Sequence, residues 1–471
     1  MPRWLVLFVV AAVVTSGCGG GDTPADSTGD PTATEAGTPL LDSAGTPIPP
    51  APAVPDGPLD PMVAADLEAV FGDLRRGVDL DALQRIGDSG DPRVAWLMSD
   101  LLRFFPGGPV ALAAVDSFER LTGTTVDTRF LWGETTDRLI AWDIPAPPGY
   151  VGWKRRPFEI IEPAWERFFD DEDAAIDWRH LSWGGVLIDD RPVEAVALPC
   201  PDGCIPALDD PAVTGAADGD WYPDDAIVFG VVVDGEARAY PKNIMEVHEM
   251  VNDTLGGRRI GIPYCTLCGS AQAYLTDEVP DGFQTIELRT SGLLSRSNKV
   301  MFDLHTFSVF DTFRGTALSG PLQDAGFALA PVTVVTATWG DWRAAHPETT
   351  IVAEDGGIGR TYPADPLRGR DDDGPIFPIG DVDPRLPVQE QVVGVITADG
   401  TAVAFPADSA RRALDAGHDV ALAGVRVVSD GAGLRIETAA GEPISSHQAF
   451  WFAWSQFNPG TLVWTPLAGA G

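Results

Sequence analysis

The sequence has few cations, and nearly all of them are arginine. Its 32 Lys and Arg residues face 69 Asp and Glu residues in a chain of 471, so the formal net charge is −37. Lysine occurs only as Lys154, Lys242 and Lys299. Because contacts to phosphates need clustered cations, this composition excludes a typical nucleic-acid-binding protein.

Long apolar runs and cysteine are also scarce. No apolar run reaches the roughly 18 residues of a membrane-spanning helix, which excludes a helical channel or transporter. Five cysteines are too few for a disulfide scaffold, and a chain of 471 residues can build its cores without one. Four of the five nevertheless form two close pairs, Cys200/Cys204 and Cys265/Cys268.

The N-terminus resembles an export signal. Arg3 precedes the apolar run from Trp4 to Val14, and three small residues lead directly into Cys18. We predict a signal peptide over residues 1–17, after which Cys18 becomes the lipidated first residue, carrying acyl chains such as palmitate. The alternative is an ordinary signal peptide with an incidental cysteine. The lipid would hold the protein on the extracytoplasmic face of the cell membrane.

Residues 18–60 are predicted to be a disordered, lipid-anchored linker. The stretch from Gly19 to Asp60 is rich in Pro, Thr, Ala, Gly and Asp and contains no Lys or Arg. Such a composition buries too little apolar surface to order a chain, and it offers no cations to anionic headgroups.

Residues 61–185 are predicted to form a small all-α domain. Asp91 and Pro92 supply a helix N-cap and a proline at the first helical position. Apolar residues then recur at helical spacing: Val94, Leu97, Met98, Leu101, Leu102 and Phe105. Because most such stripes are buried core, nothing in this region indicates catalysis.

From residue 186 the pattern changes to short β-branched runs. Residues 228–241 and 392–406 each predict a hairpin, turning at Asp234-Gly235 and near Asp399-Gly400, followed by a proline and a helix. We interpret this as a duplication of hairpin–helix repeats, with a first copy at 186–390 and a second, degenerate copy at 391–471. The predicted fold class is therefore α+β, and only the first copy holds cysteines and a polar His-Glu-Asn set.

The candidate catalytic residues are Cys265, Cys268, His248, Glu249 and Asn252. A C-x-x-C pair can close a small disulfide ring and lower the pKa of one thiol, which suits redox exchange. His248 would orient a thiol or accept its proton, and Glu249 and Asn252 would support it from a helix. A lone histidine on an apolar helix face is, however, usually a satisfied core residue.

Two other interpretations of the cysteines remain open. Cys265, Cys268 and His248 could bind zinc, with Cys200 and Cys204 as further ligands, because C-x-x-C-Gly also has the shape of a zinc knuckle. Alternatively, both pairs are structural disulfides of an exported protein. The redox interpretation needs no cofactor, whereas the zinc interpretation makes the chain a non-catalytic envelope binding module. The predicted partners are the membrane, through the N-terminal lipid, and a protein or small molecule.

Several motifs in one order resemble the domain of unknown function 3179 (DUF3179) family, over about residues 199–468. The matching segments are Gly235–Pro241, His248–Asp253, Pro263–Ala271, Ser291–Leu294, Ser319–Leu322, Trp339, Trp342, His346-Pro347 and Trp451–Trp454. The resemblance implies an exported bacterial protein of unassigned role. Some members carry selenocysteine in the C-x-x-C-like motif, which favours redox chemistry over zinc. Thr266 stands where the family usually has proline, and Cys200/Cys204 lies outside the family pattern, which implies a separate disulfide.

The predicted anchor can be tested directly. Changing Cys18 to Ala should release the mature protein from membranes, because the cation-free linker offers no second attachment. Membrane fractionation with a salt wash measures this, and a variant that stays in the washed membranes would contradict the lipid anchor.

Overall fold

The computed structural model describes residues 39–127, 129–193, 200, 203–371 and 374–466. The predicted signal peptide and Cys18 lie outside these residues. From Leu40 onward the chain forms one compact unit. No helix in the described ranges is both long and apolar enough to cross a bilayer.

The structure is a mixed α+β fold, with a helical N-terminal region and a β-rich C-terminal region. Among the described residues, seven helices occupy the N-terminal region: α1 Pro61–Phe71, α2 Leu80–Gly87, α3 Ala95–Phe104, α4 Gly108–Thr122, α5 Leu131–Trp142, α6 Tyr150–Ile161 and α7 Glu166–Phe169. Five more lie among the strands: α8 Lys242–His248, α9 Gly320–Asp324, α10 Trp339–Ala345, α11 Ala407–Asp415 and α12 Trp451–Phe457.

The strands form five small sheets in a propeller-like arrangement. Sheet I contains β1 Leu181–Trp183, β10 Leu288–Ser295, β11 Asn298–Asp303 and β12 Val309–Phe310. Sheet II contains β2 Leu208–Asp209, β6 Met250–Leu255, β7 Arg258–Cys265, β8 Ser270–Ala271, β9 Ala273–Leu275 and β13 Ala330–Val332. Sheet III contains β3 Val213–Gly215, β4 Ile227–Val233, β5 Glu236–Pro241, β14 Val334–Thr338 and β15 Thr350–Val352. Sheet IV contains β16 Gln391–Ile396, β17 Ala402–Pro406, β22 Ser446–Phe450 and β23 Leu462–Val463. Sheet V contains β18 Ala421–Leu422, β19 Val425–Asp430, β20 Gly433–Thr438 and β21 Pro443–Ile444.

The helical region follows its sequence pattern closely. Asp91 caps a 3-10 turn at Pro92–Val94 through the backbone N–H of Arg93, and α3 follows immediately. Leu97, Met98, Leu101 and Leu102 of the α3 stripe are fully buried in a core shared by α1 to α5, and the partly buried Phe105 packs against that core.

The predicted linker extends too far toward the C-terminus. Residues 39–60 lie against the helical region instead of forming a free coil: the Trp142 indole donates to the Pro49 carbonyl at 2.6 Å. Ile48 and Leu59 pack on the helical core, so the few apolar residues of this Pro-rich stretch are enough to hold it.

The helical region is also not a separate body. Strand β1 pairs with β10 in sheet I. Phe158 of α6, Trp165 of the 3-10 turn that follows and Phe168 of α7 share a core with residues of that sheet. Because the boundary at residue 185 passes through this shared core, the two regions pack as one.

Both predicted hairpins are present. Strands β4 and β5 pair around Asp234 and Gly235, both at positive φ as a type I′ turn requires, and β16 pairs with β17. The helix after the first hairpin is shorter than its apolar pattern suggests. It ends at His248, Glu249 adopts the left-handed conformation (φ 51°), and Val251 and Asn252 lie on β6 instead.

Sheets III and IV share strand order and direction. In each, three antiparallel strands are followed by a parallel one: β14-β4-β5-β15 and β22-β16-β17-β23. A tryptophan ring lies directly on a glycine of the central hairpin, Trp342 on Gly230 and Trp454 on Gly394. Each indole N–H donates at 3.0 Å to a threonine hydroxyl seven residues later.

This close approach predicts a strict requirement for glycine. A Cβ at Gly394 would overlap the buried Trp454 ring, so Gly394→Ala should cost about 1–3 kcal/mol through forced repacking. Thermal unfolding measures the loss. As a control, Gly152 on α6 has open space around its Cβ position, so Gly152→Ala should leave the melting temperature unchanged or slightly raised. Equal melting temperatures for the two variants would refute the packing argument.

Candidate functional site

The C-x-x-C motif forms a tight turn at the end of β7. Residues Thr266–Cys268 make a single 3-10 turn, and Gly269 follows in the left-handed conformation at φ 57°. Glycine adopts this conformation without steric cost, so the chain can reverse immediately after the second cysteine. Both thiols then lie close to the carbonyl oxygen of Ser297, Cys265 at 3.7 Å and Cys268 at 3.5 Å.

Both cysteines are reduced and buried. Cys265 is 3% exposed and Cys268 is 0% exposed, within an apolar cluster that includes Trp451 and Phe452 of α12. A Cβ on Gly269 would come within 2.9 Å of the Phe450 ring. The turn therefore packs directly against sheet IV, and this packing fixes the position of both sulfurs.

A buried ion pair lies beside the thiols. The Lys299 ammonium is 3.6 Å from the Glu249 carboxylate and also donates to the Glu249 carbonyl oxygen. The Thr266 hydroxyl, between the two cysteines in sequence, donates to the same carboxylate at 3.1 Å. The backbone N–H of Tyr264 donates to the Glu249 carbonyl at 2.9 Å, so the C-x-x-C turn and the end of α8 are tied together.

The thiols differ in their readiness to ionise. Burial opposes ionisation of both, but the hydrogen bond from Cys268 holds the pKa of Cys265 below its usual value. Burial and that same hydrogen bond raise the pKa of Cys268. This asymmetry is what a C-x-x-C pair needs if one sulfur is to act first.

The pKa values of both members of the ion pair are also shifted. Burial raises the pKa of the Glu249 carboxyl and lowers the pKa of the Lys299 ammonium, and their mutual attraction only partly offsets each shift. Negative charge on Cys265 favours the protonated form of Lys299. The pair can therefore hold a proton close to a thiolate.

Cys265 lines a cavity beside the ion pair. A cavity of about 80 Å³ is lined by Cys265, Glu249 and Lys299, and by Ile205 and Phe377 on its walls. A water molecule needs about 10–15 Å³ of such space, so the cavity has room for several waters or for a small group of a ligand.

His248 has other partners. Its Nδ1 lies 2.7 Å from the Pro206 carbonyl, and its Nε2 lies 2.7 Å from the Tyr362 hydroxyl. Burial lowers the pKa of His248 to about 4, so the ring is neutral, with Nδ1 donating to Pro206 and Nε2 accepting from Tyr362. Within the described ranges neither sulfur hydrogen-bonds this ring. Its contacts are those of a satisfied core histidine.

The side-chain amide of Asn252 likewise makes its hydrogen bonds to residues of neighbouring strands. Its amide nitrogen donates to Asp209 at 2.8 Å and to the Leu288 carbonyl at 3.0 Å, and its amide oxygen accepts from the Leu288 backbone N–H. Asn252 therefore links β6 to β2 and β10. Of the residues predicted for the site, the structure brings together Cys265, Cys268 and Glu249.

The candidate zinc ligands do not converge. In the part of the chain that the structure describes, one group of three or more His, Cys, Asp or Glu has all ligand atoms within 4.8 Å, namely Asp189, Cys200 and Cys204. Its two sulfurs are joined in a disulfide. Cys265, Cys268 and His248 form no such group.

The residues that the motifs missed are Lys299, Ser297 and Thr266. The scarcity of lysine was the available signal for Lys299. Each lysine is paired with a carboxylate: Lys154 with Asp100 at 2.6 Å, Lys242 with Glu246 at 2.9 Å, and Lys299 with Glu249. No local pattern marks Ser297, which contributes its backbone carbonyl from the turn between β10 and β11.

Comparison with known families matches residues 202–436 to the family described as "Protein of unknown function (DUF3179)". The chain belongs to this family, as the motifs predicted. No curated protein and no solved structure matches the chain.

The shared hydrogen bond between the thiols yields a pH prediction. In Cys268→Ala the bond that lowers the pKa of Cys265 is lost, so formation of the Cys265 thiolate should begin at higher pH than in the wild type. The thiolate absorbance near 240 nm follows this titration. Replacing Cys200 and Cys204 together provides the control, since neither belongs to this pair. A Cys268→Ala titration that overlays the wild-type onset would contradict the assignment.

Proposed function

We propose that the protein carries out thiol–disulfide exchange, with Cys265 as the attacking thiol and Cys268 as the resolving thiol. The observation that carries the proposal is the asymmetry of the pair: two reduced sulfurs share the Ser297 carbonyl, and only Cys265 lines the cavity. Cys268 also supplies the hydrogen bond that favours the Cys265 thiolate.

The exchange balances without a cofactor. The Cys265 thiolate attacks one sulfur of a partner disulfide, forming a mixed disulfide and releasing a thiolate that takes up a proton. Cys268 then loses its proton and attacks the Cys265 sulfur, which releases the second partner thiol. Two electrons and two protons pass from the pair to the partner, and a dithiol partner reverses the sequence.

Glu249 and Lys299 serve the proton transfer in this scheme. The Glu249 carboxylate is held by Thr266 within the C-x-x-C turn, where it can accept the proton of Cys265. The Lys299 ammonium then offsets the negative charge that remains in a buried site. These two residues take the role that the sequence suggested for His248.

The proposed location is the extracytoplasmic face of the cell membrane, with the lipid on Cys18. The apolar segment that ends in small residues before Cys18 supports it. The Cys200–Cys204 disulfide adds support, because disulfides persist in exported proteins and are rare in the cytosol.

We also propose that sheets III and IV are two copies of one unit. Their shared strand order supports this, as do the paired motifs Trp339-x-x-Trp342 with Thr349 and Trp451-x-x-Trp454 with Thr461. The C-x-x-C motif lies in the segment that the first copy inserts between its hairpin and β14. The second copy lacks the cysteines, and its sheet IV packs against the C-x-x-C turn.

The exchange reaction can be tested with a small aromatic disulfide that releases a coloured thiol. The wild-type chain, with its Cys200–Cys204 disulfide intact, should release both coloured thiols and end with a Cys265–Cys268 disulfide. Cys265→Ser should abolish the reaction, whereas Cys268→Ser should release one thiol and stop as a stable mixed disulfide visible by mass spectrometry.

The Cys200→Ala/Cys204→Ala variant is the matched control and should react like the wild type. One zinc ion per chain that protects both thiols until a chelator is added would contradict the proposal. So would a mixed disulfide that forms on Cys268 of the wild type.

A further inference from the structure

A second and much larger cavity lies between sheets II and IV, on the side of Trp454. This groove of about 1070 Å³ has an apolar and aromatic lining that includes Phe313, Ile396 and Trp454. Arg314 is its one charged lining residue. A groove without a lining carboxylate stands out in a chain with 69 Asp and Glu residues.

The groove wall also holds unused hydrogen-bond acceptors. Gln272 and Ser446 are each 3% exposed, and among the described residues neither the Gln272 Oε1 nor the Ser446 Oγ has a partner. The Gln272 amide nitrogen lies 3.5 Å from Nε2 of His447, whose pKa burial lowers to about 4. The neutral histidine can accept from Gln272, which leaves the amide oxygen for a donor. Buried acceptors of this kind are normally satisfied.

The equivalent place in sheet III is filled by the chain itself. The turn between β19 and β20 packs there: Gly431 lies against the backbone of Asp341 and Trp342, and Gly433 lies against Val335. Asp430, which begins this turn, holds His346 through a 2.7 Å contact between its carboxylate and the ring Nε2.

Under the proposed duplication, Val335, Trp342 and His346 correspond to His447, Trp454 and Asn458. All three of the latter line the groove. The groove on sheet IV therefore corresponds to the place on sheet III that the Asp430-Gly431 turn fills.

We propose that this groove binds a tight turn of a second polypeptide that carries an acidic residue. The backbone N–H groups of such a turn would supply donors to Gln272 and Ser446, and its carboxylate would pair with Arg314, the one cation of the lining. The apolar floor would receive the small residues of the turn, as in sheet III. This inference rests on the duplication and is independent of the thiol chemistry.

The test uses the full chain and a cyclic peptide of residues Val428–Arg435, labelled for fluorescence polarisation. Cyclisation is needed because an isolated hairpin is marginally stable in water. Ile396→Glu places a charge on the groove floor, and Val232→Glu changes the equivalent residue of sheet III. Both positions are similarly exposed, at 45% and 40%, so either variant should fold.

Binding should weaken about tenfold or more in Ile396→Glu and remain unchanged in Val232→Glu. Replacing Asp430 by Asn in the peptide should weaken binding to the wild type but not to Arg314→Gln. The absence of peptide binding, or equal loss in the two Glu variants, would overturn the proposal. Binding of a neutral oligosaccharide in place of the peptide would also overturn it. Thiol exchange measured on the same variants should stay at the wild-type level, which separates this test from that of the proposed function.

Discussion

The ion pair between Glu249 and Lys299 holds together the elements that build the thiol site. Glu249 directly follows α8, Lys299 lies on β11, and Thr266 between the two cysteines donates to the carboxylate of the pair. Removing one partner of a buried pair leaves an uncompensated charge, at a typical cost of about 3–5 kcal/mol. The strained left-handed backbone of Glu249 is held in this way, because its carbonyl accepts from both Lys299 and Tyr264.

The helical region contributes to the same site at a distance. Phe377 lines the cysteine cavity and packs on Trp132 of α5, with the two ring centroids 5.9 Å apart. The Asp137 carboxylate of α5 accepts from the backbone N–H groups of Ile379 and Gly380, at 2.6 and 2.8 Å. Burial raises the pKa of Asp137 to about 7. Helix α5 thus fixes the segment that closes one wall of the cavity, which gives the helical region a structural connection to the thiols.

Local patterns predicted the local structure well. The α3 stripe, the Asp234-Gly235 hairpin and the C-x-x-C turn all depend on residues that are neighbours in sequence. The end of α8 was missed because the apolar spacing of Ile244, Val247 and Val251 continues past a backbone reversal at Glu249. The end of the linker was missed because single contacts, such as that of Trp142 with Pro49, order a stretch of low apolar content.

The composition of the site was harder to predict because its members are far apart in the chain. Glu249 and Lys299 are 50 residues apart and meet only because the residue that follows α8 lies beside β11 in the folded chain. The sequence predicted His248 as the proton acceptor because it is close to the cysteines in the chain. Its two partners, Pro206 and Tyr362, lie 42 and 114 residues away, and neither belongs to a motif. Sequence proximity pointed to the segment at the end of α8, where the structure places Glu249, the neighbour of His248, beside the C-x-x-C turn.

The pairing of every lysine has a practical consequence for work on this protein. The side chains of Lys154 and Lys299 are 1% and 5% exposed, and Lys242, at 35%, is engaged by two carboxylates. Reagents that couple to amines therefore meet almost no accessible ε-amino group on the folded surface. Cross-linking or surface immobilisation through lysine would therefore leave most of the folded protein unmodified, whereas coupling through carboxylates would find abundant sites.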